Sequence, residues 1–122
     1  MILDSNIIIY AVLPDNERLR QWCFQQTIWV SEITRLEVLG YHKLNEPDRR
    51  DFVQLFALTR IYPVSSMIID GAITLRQQRK MSLGDAIIAA TALEYRQTLV
   101  TRNVNDFARI EGLKVVNPME DE

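Results

Sequence analysis

The chain has 122 residues, 48% of them hydrophobic and 25% charged, with four glycines and four prolines. That is the balance of a single globular domain with a sizeable core, and it excludes a disordered, repeat-built or two-domain chain. Fourteen Lys and Arg against sixteen Asp and Glu leave a formal net charge of -2, so any contact with nucleic acid has to be local, because the whole-molecule field does not attract phosphate. Cys23 is the single cysteine, which excludes an internal disulfide and a thiolate zinc cluster and suits a reducing compartment. Apolar runs such as Ile7 to Leu13 are too short to cross a membrane, and Asp4 stands where a signal peptide needs basic residues and an unbroken apolar stretch. A cytoplasmic protein with no membrane partner is expected.

In chain order, Met1-Ile2-Leu3 reads as a short buried strand, and Asp4-Ser5-Asn6 offers turn and cap chemistry before a first helix. Pro14 opens a second helix through about Gln26, with Leu19, Trp22 and Cys23 on one side, which makes Cys23 core filling. Thr27 to Val30 is a β-branched and aromatic strand ending at Ser31. Thr34-Arg35-Leu36-Glu37 then resembles a capping box at the start of a helix running to about Leu44. A helix from Pro47 to Leu58 carries Phe52, Leu55 and Phe56, and Arg60 to Val64 is a strand that Pro63 places at an end or edge. Helical spacing continues from Ser66 to Lys80, and Ser82 begins a helix to about Arg96 that is apolar nearly all round. Thr98 to Thr101 and Leu113 to Val116 are strands separated by the turn-rich stretch 102–106. Strands alternating with helices predict an α/β layer fold with a mainly parallel sheet over residues 1–118, followed by a solvated tail at 119–122.

In such a sheet the functional crevice lies outside the carboxyl ends of the strands. Asp4 ends the first strand within apolar surroundings, where a charged carboxylate needs compensation, or it serves only as the cap of the next helix. Glu37 lies beside the apolar stripe of its helix, as a functional acid or as a capping-box acid answering Thr34. Asp85 shares a helix face with Ile88, Ala89 and Ala92, and it also fits the third position after a Ser82 cap. Asp106 follows the fourth strand in a polar turn with Asn103 and Asn105, where a structural turn role competes. Two carboxylates about 5 Å apart repel by roughly 3 kcal/mol at an effective dielectric near 20, and a divalent cation reverses that sign. An all-oxygen cluster suits Mg2+ or Mn2+, and with them phosphoryl transfer to water.

Four stretches carry a resemblance: Met1 to Asn6, Ser31 to Glu37, Ser82 to Ala92, and Leu99 to Phe107. In this order, and to about Pro118, the chain resembles the PIN-domain ribonucleases and, within them, the VapC-like toxins of prokaryotic toxin-antitoxin modules. The resemblance implies a three-layer α/β/α fold with a central parallel sheet, a divalent-metal site, and endonucleolytic cleavage of RNA to 5′-phosphate and 3′-hydroxyl ends. It carries Asp4, Glu37 and Asp85 over as metal-site acids. The fourth position falls to Asn103, where the family often has Asp, or to Asp106 three residues later. Ser5, Asn6 and Thr101 match polar positions that orient the acids. It also implies a homodimer and a small antitoxin partner, for which the Pro47 to Leu58 helix with Phe52, Leu55 and Phe56 is a candidate surface, in competition with core packing.

RNA needs a basic rim beside these acids, and Arg79, Lys80, Arg102 and Arg109 are the candidates, with solvated surface charge as the alternative. His42, the only histidine, is read as a surface or interface residue and not as a general base. Two other classes fit part of the pattern: a non-catalytic PIN-like interaction module, and a phosphoacceptor receiver domain. The second lacks an adjacent acidic pair after the first strand and a lysine closing the last one.

Overall fold

The computed structural model describes residues 1–120; the last two residues of the expected tail, 121 and 122, lie outside the described residues. Five short strands, β1 (Ile2–Leu3), β2 (Trp29–Ser31), β3 (Arg60–Tyr62), β4 (Leu99–Val100) and β5 (Val115–Val116), form one sheet in the order β3-β2-β1-β4-β5. Every pairing is parallel, with Ile2 opposite both Trp29 and Leu99. The helices are α1 (Ser5–Ala11), α2 (Glu17–Phe24, preceded by a 3-10 turn at Pro14–Asn16), α3 (Glu32–Leu39), α4 (Glu46–Ala57), α5 (Ser66–Gln78), α6 (Leu83–Glu94) and α7 (Val104–Phe107).

The three layers follow from the two-residue period of a strand. Ile2 and Leu99 point into a core with Ile68, Ala72 and Leu75 of α5, Ile88 and Ala89 of α6, and Phe107 of α7. Their neighbours Leu3 and Val100 point into a second core with Ile7 and Ile8 of α1, Leu19 and Cys23 of α2, and Phe52, Leu55 and Phe56 of α4. Helices therefore cover both faces, as a parallel sheet requires. Cys23 is core filling, as expected. Phe52, Leu55 and Phe56 are all buried, so they do not form a contact surface; Val53 and Leu58 are the exposed large apolar residues of that segment. Met119, which the sequence places in a solvated tail, packs against the second core.

Other boundaries also differ from expectation. Helix α3 starts at Ser31, whose hydroxyl caps the Ile33 amide, and it stops at Gly40 instead of running to Leu44. The turn-rich stretch after β4 contains α7, which is too short for its periodicity to be read and is anchored by the buried Phe107. Strand β3 is an edge strand, in keeping with Pro63 just beyond it. Among the described residues no helix is long and apolar enough to cross a membrane.

Candidate functional site

Chain order runs outward from β1 through β2 to β3, then returns to place β4 and β5 on the other side of β1. The switch point is the crevice between the ends of β1 and β4, where α/β sheets hold ligands. Asp4 and Thr101 follow those two strands, and they meet across it. The buried Thr101 hydroxyl donates to Asp4 Oδ2 at 2.7 Å, and the Ser5 amide donates to Asp4 Oδ1 at 2.7 Å. Asp4 is thus both the cap of α1 and a carboxylate held on each oxygen at the mouth of the crevice. Thr101 also accepts from the Asn103 amide at 3.0 Å and from Asn6 Nδ2 at 3.4 Å, while Asn6 Oδ1 takes the Arg102 amide. Ser5, Asn6 and Thr101 therefore form one network around Asp4.

Glu37 comes from α3 and is exposed, next to the buried Val38 and one turn after the buried Thr34. Its partner is not Thr34: the Ser5 hydroxyl donates to Glu37 Oε1 at 2.7 Å and lies 3.1 Å from the Thr34 hydroxyl, which is fully buried. Asp85 stands in the first turn of α6, whose cap Ser82 accepts from the Asp85 amide at 3.1 Å, so the expected cap is present. Asp106 is exposed on α7, and Asn103 is exposed at its cap position without a side-chain cap bond.

Asp4 and Asp85 feel the other acids. Burial raises the Asp4 carboxyl above its ordinary range; the Thr101 and Ser5 hydrogen bonds oppose this, and the charges of Glu37 and Asp106 add to it. Asp85 is pushed up to about 6, first by burial and then by the charges of Asp4, Asp106 and Glu37, with Ser82 pulling the other way. Among the described residues no three acidic, histidine or cysteine side chains are gathered tightly enough to ligate one ion outright. Mg2+ and Mn2+ keep several waters and take one or two protein carboxylates together with substrate phosphate oxygens, so they do not need three side chains on one ion. The donors are all oxygens, as those ions require.

The basic residues separate into different roles. Arg79 gives Nη1 to the Ala108 carbonyl at 2.9 Å and Nη2 to the Arg109 carbonyl at 2.8 Å, leaving Nε a buried donor without a partner. It is a structural tie onto the turn after α7, and it lines the same cleft as Lys80 and Arg109. Arg102 lies 3.9 Å over the Tyr10 ring. Lys80 and Arg109 line a cleft beside Asp85 and Asp106, together with Arg76, which the sequence does not single out. Tyr10 has no local signal; it matters through Arg102, distant in the chain. His42 is exposed and edge-on to Tyr41.

The PIN domain family model matches residues 1–113. Ribonuclease VapC1 of Rickettsia felis is 29% identical, with 95% of this chain and 94% of that protein aligned. Among solved structures, a chain of a toxin-antitoxin complex from Klebsiella pneumoniae is 32% identical over 96% of both chains with a TM-score of 0.76. VapBC-1 from nontypeable Haemophilus influenzae is 25% identical, covers 95% of this chain and 96% of its own, and has a TM-score of 0.78. A match over most of the length, with the five-stranded parallel sheet and its helix-covered faces, has one reading: the chain belongs to the PIN domain family.

Proposed function

We propose that this protein is a divalent-metal-dependent endoribonuclease acting as the toxin of a toxin-antitoxin pair. One observation carries the chemistry: Ser5 hydrogen-bonds both Asp4 and Glu37, Glu37 lies against Gly84 beside Asp85, and Asp85 and Asp106 line one cleft, so acids from four separate segments meet at the switch-point crevice. The ribonuclease and toxin-antitoxin names of its relatives support the substrate and the biological setting.

Asp4, Glu37 and Asp85, with Asp106 or Asn103, would hold one or two Mg2+ or Mn2+ ions. When bound, such an ion compensates charge on the phosphate oxygens and makes water acidic enough to attack at neutral pH. The protein's own part is placement. Ser5 joins two of the acids, giving its amide to Asp4 and its hydroxyl to Glu37. Thr101 fixes the second Asp4 oxygen, and Ser82 sets the turn that presents Asp85. Water attacks phosphorus in line, the bond to the 3′ oxygen breaks, and that oxygen takes a proton, leaving 5′-phosphate and 3′-hydroxyl ends. A small antitoxin is the proposed protein partner and a homodimer the proposed assembly.

Total RNA incubated with the purified protein in Mg2+, in Mn2+ and in chelator, followed by end mapping, tests this reading. Cleavage with a divalent ion, absent in chelator and in Asp4→Ala, is the expected result. Cutting by purified Asp4→Ala at the wild-type rate overturns it. A protein that neither cuts RNA nor binds Mn2+ is instead a non-catalytic module.

A further inference from the structure

A cleft of about 930 Å3 borders the carboxylates on the α6 side, within the range in which proteins hold small ligands. Asp85 and Asp106 form part of its wall, and Arg76, Lys80 and Arg109 form another part. Four cations gather at one cleft on a chain of net charge -2; Arg79 is committed to the Ala108 and Arg109 carbonyls, which leaves Arg76, Lys80 and Arg109. Among the described residues none of the three is ion-paired with an acid, although Asp85 and Asp106 line the same space. Arg76 spends only its Nε, on the Met81 carbonyl at 3.1 Å. The Lys80 and Arg109 side chains make no hydrogen bond among those residues.

Arg109 sits in the left-handed region at φ 69°, and its carbonyl and that of Ala108 are tied to Arg79. A cleft with uncompensated cations next to uncompensated carboxylates does not suit a single anion. It suits a chain of regularly spaced anions, with one at the carboxylates through a divalent ion and the next on the cations.

Resting on the nuclease reading above, the geometry points to a substrate subsite: the cleft receives the RNA nucleotide adjacent to the cleaved bond, its phosphate on Lys80, Arg109 and Arg76. Arg79 builds the wall of this subsite and does not touch phosphate, and Arg102 lies outside it, on Tyr10.

The test is anisotropy of a short fluorescein-labelled single-stranded RNA titrated with full-length protein in chelator, over a range of salt. Each phosphate contact contributes a slope of about 0.7 in log affinity against log salt on a single strand. Lys80→Gln with Arg109→Gln is expected to weaken binding at low salt by about tenfold or more and to lower the slope by about 0.7, the share of the one phosphate that these residues hold. Lys80→Gln alone, at an exposed residue without a hydrogen-bond partner among the described residues, should weaken binding less than the double variant does, with an unchanged circular dichroism spectrum. Arg60→Gln, at the far end of the edge strand, should bind as the wild type does. Wild-type affinity and slope in the double variant overturn the subsite, and so does displacement of the RNA by a glutamate peptide of equal charge as efficiently as by unlabelled RNA. Cleavage by the wild type with Mg2+ is measured alongside. Intact cleavage with unchanged binding in the double variant removes the subsite alone, whereas cleft-dependent binding with no cleavage in any divalent ion removes the nuclease reading.

Discussion

Glu37 lies in the carboxylate cluster only because residue 84 has no side chain. A β-carbon on Gly84 would collide with Glu37 Oε2, while Oε1 of the same carboxylate takes the Ser5 hydroxyl at 2.7 Å. The acid of α3 is thereby laid over the first turn of α6, one residue from Asp85.

Gly84→Ala should therefore separate metal binding from folding. The colliding atom is the end of a flexible side chain, so it can yield, and replacing a helical glycine gains up to about 1 kcal/mol in helix propensity. Stability is expected to hold or rise while Mn2+ affinity, read by calorimetry, falls by about 10- to 100-fold, as when an orienting partner of a ligand is lost. Glu37→Asp in the same background shortens the acid and should recover part of the affinity. Equal Mn2+ affinity in Gly84→Ala and wild type would remove Gly84 from this role.

Asp85→Asn should stabilise the metal-free protein, with a defined dependence on pH. The folded carboxyl is raised from 3.8 to about 6, so its favourable contribution is complete below the unfolded value and is lost as pH rises through the folded one. Asparagine does not titrate. In chelator the Tm of the variant should exceed that of the wild type above pH 6, with the gap closing towards pH 4. A gap that does not change across that range would mean the acids do not repel at this position.

The sequence makes Asp4 and Asp85 visible because their signals are local, one ending an apolar strand and the other following a serine cap by three residues. Ser31 and Thr34 show where local chemistry runs out. Both are hydroxyl residues able to cap α3, and the choice falls on Ser31 because β2 ends there in an extended conformation. Thr34 is then turned inward, its hydroxyl beside Ser5, a residue 29 positions earlier. Arg79 and Lys80 are adjacent and chemically alike, yet the first is tied to carbonyls about 30 residues later while the second is unengaged. No spacing rule could separate them. The stripe of Phe52, Leu55 and Phe56 has the same pattern whether its own core or a partner covers it, and here the core does.

Thr101→Val tests the other side of the crevice. The hydroxyl is fully buried and serves the Asp4 carboxylate, the Asn103 amide and the Asn6 amide group at once. Removing it leaves a buried charged acceptor short of one bond, a cost of about 1–3 kcal/mol in urea unfolding at pH 7. Because that bond holds Asp4 down, its loss should move the acid limb of Mn2+ binding to higher pH. Thr101→Ser keeps the hydroxyl and should restore both. If valine is tolerated with no change in stability or in the pH at which Mn2+ is lost, the network around Asp4 is not what fixes its charge.

Arg79→Met should loosen the wall that carries Asp106 without unfolding the domain. Two charge-assisted hydrogen bonds to the Ala108 and Arg109 carbonyls are lost, each worth about 1.5–3 kcal/mol at most and less here because the side chain is only half-buried. Arg109, in the left-handed region, then has nothing to offset its strained backbone, which costs about 1–3 kcal/mol. Methionine keeps the apolar stem, so the packing of α5 against α6 is retained. Amide hydrogen exchange across residues 104–110 should accelerate by one or more orders of magnitude while α6 and β4 keep their protection. Arg79→Lys supplies charge but not the two-pronged geometry and should rescue little. Unchanged exchange in 104–110 would mean that the burial of Phe107 alone holds the turn.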